Sequence, residues 1–182
     1  HMRDLLDGLM DYAQVGKAAL APEHVPVDAV VADAVAFLGL DLPDGAITAT
    51  SEQFCADRKA LMQLLQNLIG NAVKHSAGTP SITIDVTDLA AVRTLGPTPD
   101  TVSSMEGATS VLSVSDDGPG IDPADHERIF DLFRQLDTRA PGSGAGLAIC
   151  RLISRRHGGD IWVRSPPGSG ARFDGHVADH CD

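Results

Sequence analysis

Apolar residues recur at helical spacing from Arg3 to about Leu20, through Leu5, Leu6, Leu9, Met10 and Ala13. Pro22 and Pro26 then interrupt the run, because proline lacks the N–H that a helix interior needs. A second amphipathic helix is predicted from about Asp28 to Leu38, ended by Gly39 and Pro43. Ile47 to Thr50 alternates and is rich in threonine, which predicts a strand. The strongest periodicity runs from Asp57 to His75, where Leu61, Leu64, Leu65, Leu68, Ile69, Ala72 and Val73 form one wide apolar face. Ser81 to Thr87 alternates Ile82, Ile84 and Val86, the pattern of a half-buried strand.

Arg93 to Thr109 carries Gly, Pro, Ser and Thr with few large apolar residues, and reads as a flexible connector between strands. Val111 to Ser115 is the next strand and runs into Asp116-Asp117-Gly118-Pro119-Gly120. Pro123 to Phe133 reads as a short helix, Arg134 to Gly142 as a mobile loop, and Gly144 to His157 as a helix. Asp160 to Val163 and Ala171 to Val177 form a closing hairpin around Pro166-Pro167-Gly168. Strands and helices mix without strict alternation, which predicts a two-layer α/β sandwich.

Composition narrows the function. The chain has 182 residues, enough for one compact domain and a short extra segment. With 43% hydrophobic but only 4% aromatic residues, its core rests on Leu, Val, Ile and Ala. Fourteen basic against 25 acidic residues give a net charge of −11, which repels phosphodiester backbones and excludes general nucleic-acid binding. A single local site can still be positive. Cys55, Cys150 and Cys181 form no CxxC pair, and the odd count without a signal peptide predicts reduced thiols in a cytoplasmic protein. No apolar run approaches the roughly 20 residues that span a bilayer. His1-Met2 reads as an expression remnant, so a longer parent with sensors or membrane anchors is compatible with this sequence.

Three constellations carry chemistry. Asn67, Asn71, Lys74 and His75 share one helical face opposite the leucines. A polar face is ordinarily just solvated. Two asparagines four apart with a lysine beyond them, however, make a surface of oxygen donors and a cation, and asparagine carbonyls suit Mg²⁺. The second constellation, Asp116-x-Gly118-x-Gly120, follows a strand directly. It is common turn chemistry, yet an aspartate there can also accept a hydrogen bond from an exocyclic amine such as adenine N6. The third, Gly142-Ser143-Gly144-Ala145-Gly146-Leu147, opens a helix whose free N–H groups and dipole favour an anion. It lacks the βαβ context of a dinucleotide-binding fingerprint and the Gly-Lys-Ser/Thr of a Walker loop.

In that order the motifs resemble the catalytic domain of sensor histidine kinases, of the GHKL ATP-binding superfamily. Asn67 to His75 resembles the N box, Asp116 to Ile121 the G1 box, Ile129 to Arg134 the F box and Gly142 to Leu147 the G2 box. Arg156 to Val163, with Gly168 and Gly170, is similar to the family's closing hairpin. The resemblance covers about residues 25–178. It implies a mixed, mostly antiparallel sheet of about five strands, covered on one face by about three helices. Residues 3–20 are similar to the end of the second dimerisation and phosphotransfer helix. The first such helix, with its acceptor histidine, has no counterpart, and none of His24, His126, His157, His176 or His180 sits in the acceptor context. Cys150 and Ile161-Trp162-Val163 are similar to kinases linked to phytochrome-type or PAS sensors.

The resemblance implies that Asp116 binds the adenine amine, with Gly118 and Gly120 shaping the wall and His75 near the base. Asn71 holds Mg²⁺, Lys74 offsets phosphate charge, and Gly142, Gly144, Gly146 and Leu147 meet the phosphates of ATP. Arg139 reaches the outer phosphates from a lid, with Arg134 as second choice, and Phe130 and Phe133 anchor the lid's start. Asn67 stands where hydrolytic relatives carry a glutamate, and an amide cannot act as a general base. This favours transfer to a histidine on a separate dimerisation domain, with a response regulator downstream. It also implies a homodimeric full-length protein, and a 182-residue chain that is monomeric or weakly dimeric and unable to label itself. Arg172 before Phe173 departs from the family and predicts a lost contact to the base. The alternatives are a regulatory pseudo-kinase and an anti-sigma-type serine kinase, the second disfavoured by residues 3–12. His176-x-x-x-His180 has metal-ligand spacing but reads as an accidental tail.

Overall fold

The computed structural model describes residues 2–103, 110–136, 142–176 and 181. Among these residues, one sheet has the strand order β2-β4-β5-β7-β6 and a separate two-stranded ribbon pairs β1 with β3. The strands are β1 Pro22–Pro26, β2 Ile47–Ala49, β3 Gln53–Asp57, β4 Ile82–Asp88, β5 Ser110–Asp116, β6 Ile161–Arg164 and β7 Ala171–His176. Only β2 and β4 run parallel within the sheet; the remaining pairs are antiparallel. The α/β sandwich expected from the sequence is therefore present.

Helices α1 (Met2–Lys17), α2 (Val27–Leu38), α3 (Arg58–His75) and α6 (Gly146–Arg156) lie on the side of the main core. That core joins the leucines of α3 to Ile82 and Ile84 of β4, Leu112 and Val114 of β5, and Ile149 and Ile153 of α6. Helix α3 begins where Asp57 caps it, its carboxylate accepting from the Ala60 N–H at 2.9 Å. Burial alone would raise the Asp57 pKa. The N–H groups of Ala60, Ala21 and Lys59, with His157 nearby, outweigh burial and hold it below the ordinary carboxylate range.

Helix α1 docks along α6. Its Leu5, Gly8, Tyr12 and Val15 face inward, and a Cβ at Gly8 would come within 2.8 Å of the Ser143 Cβ. Arg156 closes the other end of this seam by donating to the carbonyls of Val15 and Ala18.

Several expectations need correction. Pro22 and Pro26 do more than break a helix: they bound β1, which pairs with β3 in the register Val25 to Phe54. Strand β3 leaves no clear signal in the sequence because it is short and ends in the cap of α3. The supposed connector from Arg93 begins inside α4 (Leu89–Thr94), whose first four residues precede it, and holds α5 (Asp100–Ser103). Asp88 caps α4 by accepting from the Ala91 N–H at 2.9 Å. The expected helix at Pro123–Phe133 is two short 3-10 turns, Pro123–Asp125 and Arg128–Phe130. The thiols were expected reduced, yet Cys55 and Cys181 form a disulfide with Cα atoms 5.9 Å apart. A separation of 126 residues offers no local spacing signal for it. Cys150 is free and buried, and burial pushes its thiol pKa up.

Helices α4 and α5 matter because strand side chains alternate between faces. Leu112 and Val114 point to the main core, whereas Val111 and Trp162 point outward and join Leu89, Val92 and Val102 in a second, smaller core. Beside it the Asp174 carboxylate, fully buried, accepts from Ser113 Oγ at 2.6 Å, from Arg172 Nε at 2.9 Å and from Arg164. Arg164 also donates to the Val92 carbonyl at 3.0 Å, and Arg93 to that of Val102 at 3.0 Å, which fastens the segment to the sheet.

Candidate nucleotide-binding site

Between α3, the turn after β5, the segment leading into α6 and the start of β7 lies a cavity of about 480 Å³. Helix α3 delivers Asn67, Asn71, Lys74 and His75 to it on successive turns, the stripe opposite its buried leucines. Asp116 and Gly120 form the second wall; Gly142, Gly144, Gly146 and Leu147 form the third. Gly118 stays out of the lining and shapes the turn, its N–H donating to Asp116 Oδ1 at 2.9 Å. The Ala171 N–H reaches the same oxygen at 3.2 Å, so neither bond uses Oδ2. Arg139, the expected lid cation, lies outside the described residues, as does most of the expected mobile loop. Arg134 lines the cavity, as do Gln135 and Leu136.

Two glycines are required by their neighbours. Gly144 has φ 73°, and a Cβ there would fall 2.8 Å from the Phe133 carbonyl carbon and 2.9 Å from the Arg134 oxygen. Gly146 opens α6 where a Cβ would sit 2.8 Å from Asn67 Oδ1. The Asn67 amide donates back to the Gln63 carbonyl at 3.0 Å, so this side chain spaces α3 from α6. Among the described residues no side chain caps the N-terminus of α6, so its first N–H groups have no intrahelical or side-chain acceptor. The donor set therefore fits a magnesium nucleotide: an asparagine oxygen suits a hard cation, and an uncapped helix start, Lys74 and Arg134 suit phosphates.

The phase of β7 turns Arg172, the departure from the family, away from the cavity. Arg172 turns to the outer face, where it donates to Asp174 and Ser113. Its neighbours Ala171 and Phe173 line the cavity. Gln66, Gln135, Ser143 and Ala171 were not singled out from the sequence. Gln66 was findable by widening the Asn67 stripe. Ala171 needed the strand's phase. Gln135, whose amide donates to the Gly142 carbonyl at 2.6 Å, has no motif to mark it. His176 is a buried strand residue with its ring nitrogen near the Ser110 carbonyl, and His180 lies outside the described residues.

The cavity and fold define a nucleotide-binding α/β sandwich in which a helix stripe and an uncapped helix start share one site. The model of the histidine kinase-, DNA gyrase B-, and HSP90-like ATPase family matches residues 56–178, and the chain belongs to that family. Within it, the chain has the catalytic ATP-binding domain of a sensor histidine kinase. It is 35% identical over 181 residues to the phytochrome-like protein Cph1 of Synechocystis, covering 94% of this chain and 22% of that protein. It is 31% identical to the methanogenesis regulatory histidine kinase FilI of Methanothrix harundinacea, covering 93% of this chain and 18% of that one. The chain thus spans about a fifth of the length of these relatives. Full-length ShkA in complex with AMPPNP superposes with a TM-score of 0.65 at 25% identity, over 98% of this chain and 36% of that one. The nucleotide-free catalytic domain of histidine kinase ThkA shares the fold, with a TM-score of 0.59 at 22% identity over 87% of this chain and 95% of that one.

Proposed function

We propose that this chain binds magnesium ATP in the cavity and presents its terminal phosphate to a histidine on a dimerisation and phosphotransfer domain. One observation carries the reading: the Asn71 stripe, the Asp116 turn and the uncapped start of α6 converge on a single cavity. Asp116 Oδ2 accepts the adenine amine while Oδ1 is held by the Gly118 and Ala171 N–H groups. Asn71 offers its carbonyl to Mg²⁺, Lys74 offsets phosphate charge, and the backbone around Gly144 and Gly146 supplies N–H donors. Mg²⁺ held at Asn71 would neutralise charge on the phosphates of ATP, whose terminal phosphoryl group is the one transferred. Asn67, an amide engaged with Gln63, supplies no base to water, which supports transfer over hydrolysis.

The partners that follow are the dimerisation domain and a response regulator, in a homodimeric parent. Such a domain works on the cytoplasmic side, where ATP is available and where the Cys55–Cys181 pair meets a reducing environment. Among the described residues no helix is long and apolar enough to cross a membrane. The test is transfer in trans. This chain, given magnesium ATP and the phosphotransfer domain of a related sensor kinase, should label that domain's histidine and leave itself unlabelled. Acid-labile labelling of the 182-residue chain alone would overturn the division of labour.

A further inference from the structure

Arg151 lies outside the cavity lining and joins the Arg128–Phe130 turn to a buried anchor. Its Nη1 donates to Glu127 Oε2 at 3.0 Å, and its Nε to Asp160 Oδ1 at 3.2 Å. Its guanidinium carbon lies 5.2 Å from the centroid of the Phe130 ring. Asp160 is 2% exposed at its side chain and Arg151 18%, whereas Glu127 is 74% exposed. A pair as open as Glu127 with a mobile partner would contribute little. Here the cation is first fixed from below by Asp160, which Arg155 at 3.4 Å and Thr101 Oγ1 at 3.3 Å also contact.

Phe130 transmits that anchoring in two directions. Its ring meets Phe173 edge to face, with centroids 6.3 Å apart and planes at 87°, and Phe173 lines the nucleotide cavity. Three residues on, Phe133 has φ 65°, the only non-glycine positive φ among the described residues. A bulky aromatic side chain holds that conformation only where its surroundings impose it. The backbone of Phe133 and Arg134 then packs against Gly144. The path from Arg151 to the phosphate-facing segment is therefore continuous: Arg151, Phe130, the turn at Phe133, Gly144.

We propose that Arg151 is a positioning residue for nucleotide binding: it clamps Phe130 and Glu127 onto the buried Asp160 and so sets the turn at Phe133 and the Phe173 wall. The proposal rests on the reading of the cavity as a magnesium-nucleotide site. Its test is calorimetric titration of the full chain with magnesium ADP, paired with thermal melting. Arg151→Met keeps the stem but loses the charge and both bonds, and should weaken binding about tenfold. Arg151→Lys, which retains a cation near the ring, should recover part of that loss. Arg155→Met is the control, since Arg155 also reaches Asp160, while the bond to Glu127 and the contact with the Phe130 ring belong to Arg151. It should lower the melting temperature at most and leave affinity unchanged. Should Arg151→Met fail to fold, Glu127→Gln at the exposed end of the clamp should still weaken binding about threefold. Wild-type affinity in Arg151→Met, or in Glu127→Gln where that stands in for it, overturns the proposal, as does an equal loss in Arg155→Met. If wild type itself binds no ADP, the nucleotide reading fails and the clamp fails with it; if wild type binds and the variants match it, the clamp alone is wrong.

Discussion

The two faces of the sheet solve different problems with the same strands. On the helix side, Leu112, Val114, Ala171 and Phe173 meet long helices and leave a cavity lined by amides, a carboxylate and glycines. On the outer side, Val111 and Trp162 meet two short helices, Arg164 reaches the Val92 carbonyl, and Arg164 and Arg172 are paired with Asp174. One face keeps polar groups for a ligand. The other pairs its carboxylate with its own two arginines. Neighbouring residues of β7 fall on opposite sides of that division, so adjacent substitutions should have unlike effects.

The largest effect should come from the outer face. Trp162→Ala removes the biggest side chain of the small core and should cost about 3–5 kcal/mol of stability. Nucleotide affinity of the folded fraction should stay at the wild-type value. Urea unfolding beside calorimetric titration checks this, and a selective loss of affinity would break the division between faces. On the helix side the ordering reverses. Asn71→Ala should slow transfer to a phosphotransfer domain by about 100-fold through misplacement of the reacting groups, while ADP affinity changes little. A transfer assay run beside an ADP titration separates a metal ligand from a merely solvated helix residue. Near-normal transfer would remove Asn71 from the site.

Asp116→Ala should weaken ADP by about 1–3 kcal/mol, the cost of leaving a buried amine without its acceptor. Its melting temperature should fall less than that of Trp162→Ala. Unchanged affinity would place the base elsewhere. The smallest effect concerns acid. The folded Asp57 pKa lies below its unfolded value, so its contribution is present above the ordinary carboxylate range and is lost as pH falls through the folded pKa. Asp57→Asn keeps an acceptor for the α3 cap but removes the titration. Its stability should therefore decline less steeply on acidification than that of wild type, as melting temperature against pH would show.

The sequence exposed the helix face well and the outer face poorly, for physical reasons. Periodicity marks long amphipathic elements, so α2, α3 and α6 were legible, and glycines with Asp116 flagged the cavity because close approach restricts residue choice. Helices α4 and α5 have six and four residues, too few for a 3.6-residue period to register against Gly, Pro and Thr. Trp162 looked like a hairpin residue until α4 supplied the partner that buries it. Arg172 illustrates a subtler failure. Its identity was plain, but which way it pointed depended on strand phase, and that phase was fixed only by the register of Ser115 opposite Arg172. Arg139 was named on position alone and lies beyond what the structure describes.

The Cys55–Cys181 bond also decides how the chain carries tension. A pull applied through α1 and the C-terminal end passes from β1 to Cys55 and across the sulfurs to Cys181. Everything between those cysteines, the nucleotide cavity included, hangs in a covalent ring outside the load path. With the bond intact, stretching between the ends frees only the residues beyond the ring, about 190 Å of extended chain, against about 620 Å once the bond is reduced. In the oxidised form the covalent path bypasses the nucleotide site, which then feels the segment that leads into it only through the packing of α1 on α6, and reduction places the site in series with that segment.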